Sequence, residues 1–226
     1  MALEVKNLTF SYARNPSRKR RDFSPVFAVN DFSAVFERGK ITAVMGPNGC
    51  GKTTLSKLLV GILKPLRGGV FLDGENLSGR RLAEIGKQIG LVAQQPDRQL
   101  FCTSVSDEME FGLKCLELDS AEIEARKARY LEYFDLERYA ETFPFELSTG
   151  EKQRLVIAAV IAMKPAYLIL DEPTSALDRG RKAALGALLR GLASDEHTGV
   201  VLFSHDESFT ARYADGVIKM EEGQTG

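Results

Sequence analysis

The 226-residue chain is long enough for one α/β domain with a sizeable core, and a composition of 44% apolar and 27% charged residues forces no segment into disorder. Thirty basic against thirty-one acidic residues leave a net charge of −1. That lacks the basic excess nucleic-acid binding usually needs, so no nucleic-acid partner is expected. Leu3, Val5, Leu8 and Phe10, with polar residues between, predict a first strand ending in Phe10-Ser11-Tyr12. A basic loop follows at 14–21, from Arg14 to Arg21, which reads as a solvated surface rather than a docking site for an anionic membrane or partner. An extended pattern resumes over 27–36, and Glu37-Arg38-Gly39-Lys40 reads as a hairpin turn into a central strand over 41–45.

Beyond that strand, Leu55, Leu58, Leu59 and Ile62 form a helical stripe that stops before Pro65. A short strand and turn are expected over 68–74, and a buried strand over 89–93 that Gln94-Gln95-Pro96-Asp97 brings to an end. From 104 to 139 the pattern is amphipathic and helical with no strand signal, a helical insertion in an otherwise alternating chain. An apolar helix over 150–163, a strand over 167–170, a helix over 179–192 and strands over 200–203 and 217–220 complete the order. The amino terminus lacks the basic head and apolar core of a signal peptide. The longest apolar run, 155–163, falls short of the roughly 20 residues that span a bilayer. Cys50, Cys102 and Cys115 are odd in number and lack zinc spacing, which points to reduced thiols in a cytosolic compartment.

Chemistry enters at Gly46-Pro47-Asn48-Gly49-Cys50-Gly51-Lys52-Thr53, a G-x-x-x-x-G-K-T loop between a strand and a helix. A triphosphate needs many donors at close range. Glycines at 46, 49 and 51 let backbone N–H groups approach it, and the following helix, opening near Thr54, presents its positive end. Lys52 is the candidate for the β- and γ-phosphates and the Thr53 hydroxyl for Mg²⁺, so the expected ligands are ATP and Mg²⁺. The other half of the site belongs at the end of a second buried strand, where Asp171 and Glu172 follow Tyr167-Leu168-Ile169-Leu170. Asp171 would hold Mg²⁺ through water, and Glu172 would orient and deprotonate the attacking water.

With Leu147-Ser148-Thr149-Gly150-Glu151-Lys152-Gln153-Arg154 added, nearly the whole chain resembles the ATP-binding cassette ATPases, whose signature usually reads LSGGQ. The resemblance implies a P-loop NTPase fold with a RecA-like core, an N-terminal antiparallel β region and an α-helical subdomain inserted at about 95–163 of a single 1–226 domain. It also implies a head-to-tail dimer, homo- or heteromeric, in which Ser148 and Gly150 of one subunit cap the γ-phosphate held by the other's loop. An ordinary serine N-cap with Glu151 in the first turn accounts for Ser148 locally, though not for Thr149-Gly150. Thr149 and Glu151 depart from the usual motif. Ser175-Ala176-Leu177-Asp178 adds Asp178 to the nucleotide site by the same resemblance. Gln94 corresponds to the family's glutamine that touches Mg²⁺ or the water, His205 to its γ-phosphate histidine, and Tyr12 to its adenine-stacking aromatic. Phe23 and Phe27 are alternatives to Tyr12.

Gln94-Gln95-Pro96-Asp97-Arg98-Gln99-Leu100-Phe101 and Pro144-Phe145-Glu146-Leu147 further resemble the ATPases of energy-coupling-factor importers, which take up vitamins or cobalt and nickel ions. The implied partners are a transmembrane coupling protein and a substrate-binding membrane protein, and the implied location is the cytoplasmic face of the membrane. Rival classes fit less well. A chromosome-maintenance cassette needs a long coiled coil between Lys52 and Ser148, and 104–139 is too short and without heptads. A translation factor of this superfamily usually carries two cassettes, and a GTPase needs an N-K-x-D motif. A non-hydrolysing regulatory subunit is expected to lose Glu172 or His205.

Overall fold

The computed structural model describes residues 2–12 and 27–225, and the basic loop and Phe23 lie outside them. Two sheets are built. β1 (Ala2–Phe10) sits between β2 (Val29–Glu37) and β4 (Arg67–Leu72) in an antiparallel sheet of order β2-β1-β4-β5, with β5 at Glu75–Asn76. The second sheet runs β10-β9-β3-β8-β7-β6. It comprises β3 (Ile41–Met45), β6 (Ile89–Val92), β7 (Tyr167–Asp171), β8 (Gly199–Phe203) and β9 (Gly216–Glu221) in parallel, with β10 (Gln224–Thr225) as an antiparallel edge.

The central strands β7 and β8 are buried at every position, as parallel strands covered on both faces must be. Their side chains sort by the strand period of two. Tyr167, Ile169, Val201 and Phe203 face the antiparallel sheet and α1 (Lys52–Leu59), while Leu168, Leu170, Val200 and Leu202 face the other apolar cluster. That second cluster includes Leu155, Ile157 and Ile161 of α5 (Thr149–Ala162), Met109 and Leu113 of α3 (Val105–Lys114), and Leu185 and Leu189 of α6 (Arg179–Glu196). It also takes Tyr130 and Leu131 from α4 (Ser120–Tyr133).

Several sequence expectations are revised. The turn at 37–40 is tight, with Gly39 at φ 72°, yet it makes no hairpin: β2 pairs with β1, whereas β3 pairs with β8 and β9 of the other sheet. α1 ends at Leu59, because Gly61 at φ 74° turns the chain away, and Ile62 is exposed rather than on the buried stripe. The helical stretch 104–139 is divided by Glu117 at φ 60° into α3 and α4. Two short helices, α2 (Leu82–Gly86) and α7 (Glu207–Tyr213), were not anticipated, nor were β5 and β10. For α7 the signal was present: Asp206 is an N-cap whose side chain accepts from Phe209 N.

Candidate active site

Between β3 and α1 the loop Gly46–Thr53 is shaped by close approach. A Cβ on Gly46 would lie 2.1 Å from Met220 O, and one on Gly51 equally near Ala28 O, so neither position accepts a side chain without moving backbone. Gly51 is also at φ 108° and Gly49 at φ 85°, conformations that L-residues rarely adopt. Pro47, Asn48 and Gly49 are exposed at the loop crown, whereas Cys50, Lys52 and Thr54 are buried. The Lys52 ammonium donates to Gly46 O at 2.7 Å and Pro47 O at 3.0 Å, so the loop folds over its own lysine. A phosphate oxygen entering there would replace carbonyl acceptors that already mark its direction.

Parallel pairing brings the second half of the site to the same edge. β7 aligns Leu170 with Val92 of β6 and with Leu202 of β8, and β8 aligns Phe203 with Val44 of β3. Asp171, Glu172, Gln94, His205 and the loop therefore all emerge at the carboxyl ends of neighbouring strands. Asp171 is 1% exposed; Ser56 Oγ donates to its Oδ2 at 3.4 Å and Thr53 is a further hydrogen-bond partner. Its Oδ1 has no hydrogen-bond partner among the described residues. Burial raises the Asp171 pKa, and the nearby Glu172 charge adds to it, against the lowering by the Thr53 and Ser56 hydroxyls and by Lys52. A buried carboxylate with a free oxygen beside the Thr53 hydroxyl fits Mg²⁺, which takes one or two carboxylates and keeps its remaining positions for water and phosphate.

Glu172 is 5% exposed and sits at φ 53°, a left-handed conformation that a non-glycine residue holds at a cost of about 1–3 kcal/mol. It persists because Glu172 N donates to Phe203 O at 2.9 Å and Ser175 Oγ donates to Glu172 O at 3.0 Å. His205 Nδ1 lies 2.8 Å from Glu172 Oε2, at ion-pair distance but without hydrogen-bond alignment, and the imidazole is otherwise exposed. One oxygen of Glu172 is thus steadied without being saturated. Beside it, Asp206 binds Lys182 of α6 at 2.7 Å and caps α7; these bonds hold its carboxyl well below the usual range and fix the backbone next to His205.

Of the remaining sequence candidates, Tyr12 is exposed, its OH 3.3 Å from Thr54 Oγ1 and its ring edge-on to Phe10 at 5.0 Å. That places a free aromatic face beside the loop's helix; Phe27 is half-buried. Gln94 is exposed just past β6. Gln99 was not singled out from sequence, yet its amide pins that segment, accepting from Ala93 N at 2.6 Å and donating to Leu91 O at 2.9 Å. Asp178 caps α6, accepting from Arg181 N at 2.9 Å, a bond that lowers its pKa. Ser148 and Gly150 lie at the amino end of α5, a different helix from the one that follows the loop. Ser148 is exposed, and the Cβ position of Gly150 is 3.3 Å from Ala176 O. Ser148 and Glu151 form a reciprocal capping box, so the local N-cap reading of Ser148 holds.

A phosphate loop, an acidic pair closing a buried strand and a capped helix bearing the signature, on one α/β core, define an ATP-binding cassette. The ABC transporter family model matches residues 29–175, and the chain belongs to that family and is an ATPase. More particularly, it is 36% identical to the energy-coupling factor transporter ATP-binding protein EcfA1 of Mycoplasmopsis synoviae, over 98% of this chain and 80% of that one. Among solved structures it is similar to cbiO1 from Clostridium perfringens, part of the ABC transporter complex cbiONQ, with TM-score 0.82, 32% identity and 99% and 86% of the two chains covered. It is also similar to the ATP-binding cassette MJ0796, solved as a post-hydrolysis dimer bound to ADP and Pi, with TM-score 0.86, 26% identity and 100% and 96% covered.

Proposed function

We propose that the chain is the ATP-hydrolysing subunit of an energy-coupling-factor type importer for a transition-metal ion such as cobalt or nickel, or for a vitamin. It works at the cytoplasmic face of the membrane as a head-to-tail dimer with a second ATPase subunit. The observation that carries this reading is the separation of two half-sites on one chain. The loop holding Lys52 would face one triphosphate, while Ser148, exposed, and Gly150, half-buried, stand at a different helix end. Each half-site lacks what the other offers, and a second subunit supplies it. The importer type is supported by likeness to EcfA1 and to cbiO1. Among the described residues no helix is long and apolar enough to cross a membrane, so translocation belongs to a transmembrane coupling protein and a substrate-binding membrane protein.

In this reading Tyr12 stacks on adenine, and the N–H groups from Gly46 to Thr54 enclose the phosphates. Lys52 exchanges Gly46 O and Pro47 O for β- and γ-phosphate oxygens. Mg²⁺, held by Thr53, Asp171 and Gln94, supplies neutralisation of phosphate charge when bound. Glu172 accepts the proton of the attacking water, and His205 keeps the carboxylate aimed. Asp178, capping α6 beside the partner's loop, shapes the interface, and the helical part at about 95–163 carries the signature toward the other subunit. Glu172→Gln retains ATP binding, slows hydrolysis by roughly 10² to 10⁴ and accumulates an ATP-bound dimer, measured by phosphate release and light scattering. Normal hydrolysis by that variant would remove Glu172 as the base.

A further inference from the structure

The amino end of α5 already holds an anion of its own. Glu151 Oε2 accepts from Ser148 N at 2.9 Å and from the Ser148 hydroxyl at 2.6 Å. Its Oε1 accepts from Tyr139 OH at 2.5 Å, and Arg138 donates to the same Tyr139 oxygen at 2.8 Å. A serine hydroxyl has one proton to give, and here it is directed to this carboxylate. The cap itself does not require the charge, since in a reciprocal box the third residue only accepts from the N-cap, which a glutamine does as well. Glutamate at 151 therefore adds a negative charge where the proposed partner phosphate must dock.

One turn on lies a buried cation. Arg154 is 5% exposed, its Nε has no hydrogen-bond partner among the described residues, and its contact to Asp135 Oδ2 is a long 3.5 Å. The Arg154 and Glu151 charges act on one another. This second observation separates Glu151 from an ordinary cap: a buried cation with an unused donor lies three residues on along the same helix, within electrostatic reach of the carboxylate.

Building on the dimer reading above, we infer that Glu151 is a positioning residue for closure. In the open subunit it holds the Ser148 hydroxyl as a phosphate would, and ATP-driven closure exchanges its carboxylate for the γ-phosphate of the partner's nucleotide. Closure then requires more ATP than in a chain with a neutral residue at 151. It acts through Ser148 and touches no reacting atom.

The test is made on the full chain carrying Glu172→Gln, with dimer formation followed by light scattering as ATP is titrated. Adding Glu151→Gln keeps the cap and removes the charge, and lowers the half-maximal ATP concentration about tenfold. Adding Glu151→Asp keeps the charge and leaves the midpoint near that of the parent. Thermal melts of all three establish that each is folded. An unchanged midpoint for Glu151→Gln, or an equal drop for Glu151→Asp, overturns the role of the charge while the dimer reading stands. Absence of any dimer at saturating ATP overturns both.

Discussion

At Asp171 a single carboxylate shows how the site trades stability for chemistry. Burial raises its pKa, so the folded state favours the protonated acid more than the unfolded chain does. The sign follows: above the unfolded value near 3.8 the charged form weakens the metal-free fold, and the penalty is relieved as pH falls through the raised folded value. Asp171→Asn accordingly raises the melting temperature of the nucleotide-free protein at neutral pH by about 2–4 °C while abolishing Mg²⁺-dependent hydrolysis; a lower melting temperature would count against this. Cysteine chemistry separates in the same way. Burial pushes the Cys102 thiol up to about 11, with Glu108 adding to it, so it alkylates slowly at neutral pH, whereas Cys115 is exposed. Cys50 is buried in the phosphate loop with Lys52 Nζ 4.0 Å from its sulfur. In a chain lacking the other two thiols, stoichiometric labelling of Cys50 blocks ATP binding; full binding after labelling would show the loop has room. Spacing alone made the loop and the acidic pair readable. The strained φ of Glu172 was not readable, because it depends on β8 lying beside β7, and the Gln99 clasp was not, because a side chain folding back on Leu91 and Ala93 leaves no spacing signal.

Elements were legible where one pattern decided them and illegible where pairing did. The apolar runs of β7 and β8 and the stripe on α1 follow from burial on both faces and on one face respectively. Assignment of β2 and β3 to different sheets did not follow, since a short Gly-containing turn is equally compatible with a hairpin and with a step between layers. Breaks at Gly61 and Glu117 are backbone decisions that an amphipathic stripe does not report. The start of α5 was readable as a serine N-cap with Glu151 in the first turn, and its energetics are testable. Hydrogen bonds from the Ser148 hydroxyl, Tyr139 and Ser148 N lower the Glu151 pKa from 4.5 to about 2. Its contribution to stability is therefore complete above about 4.5 and lost as pH falls toward about 2. Glu151→Ala costs about 1 kcal/mol at neutral pH in chemical denaturation, and the difference from wild type narrows across that acid window to what the uncharged cap retains. A difference unchanged at pH 2 would mean that the charge adds nothing to the cap.

On the scale of the whole molecule, the two apolar clusters meet along the parallel sheet, and a pair of exposed aromatics lies outside both. Phe101 is 61% exposed and Phe111 51%, and their rings stack edge to face at 4.7 Å. Glu108 secures this arrangement: buried itself, it accepts from Phe101 N at 3.0 Å and Cys102 N at 2.9 Å. Asp97, in the same segment, pairs with Lys152 of α5 at 2.7 Å, next to the signature. Asp97 is in turn linked to the signature, because Lys152 N donates to Ser148 O at 2.9 Å. Paired exposed aromatics on a braced segment are the kind of anchor a protein interface uses, with truncation of a central one costing about 2 kcal/mol or more. The double variant Phe101→Ala, Phe111→Ala is expected to bind ATP within about twofold of wild type, since neither ring touches the nucleotide loop, while recovery of integral membrane proteins from native membranes falls at least about tenfold. Equal recovery would place the contact with the proposed membrane partner elsewhere on the chain. Loss of ATP binding along with recovery would instead mean that the aromatics brace the fold, because the Glu108 clasp and α3 lie against the same core that positions Asp171.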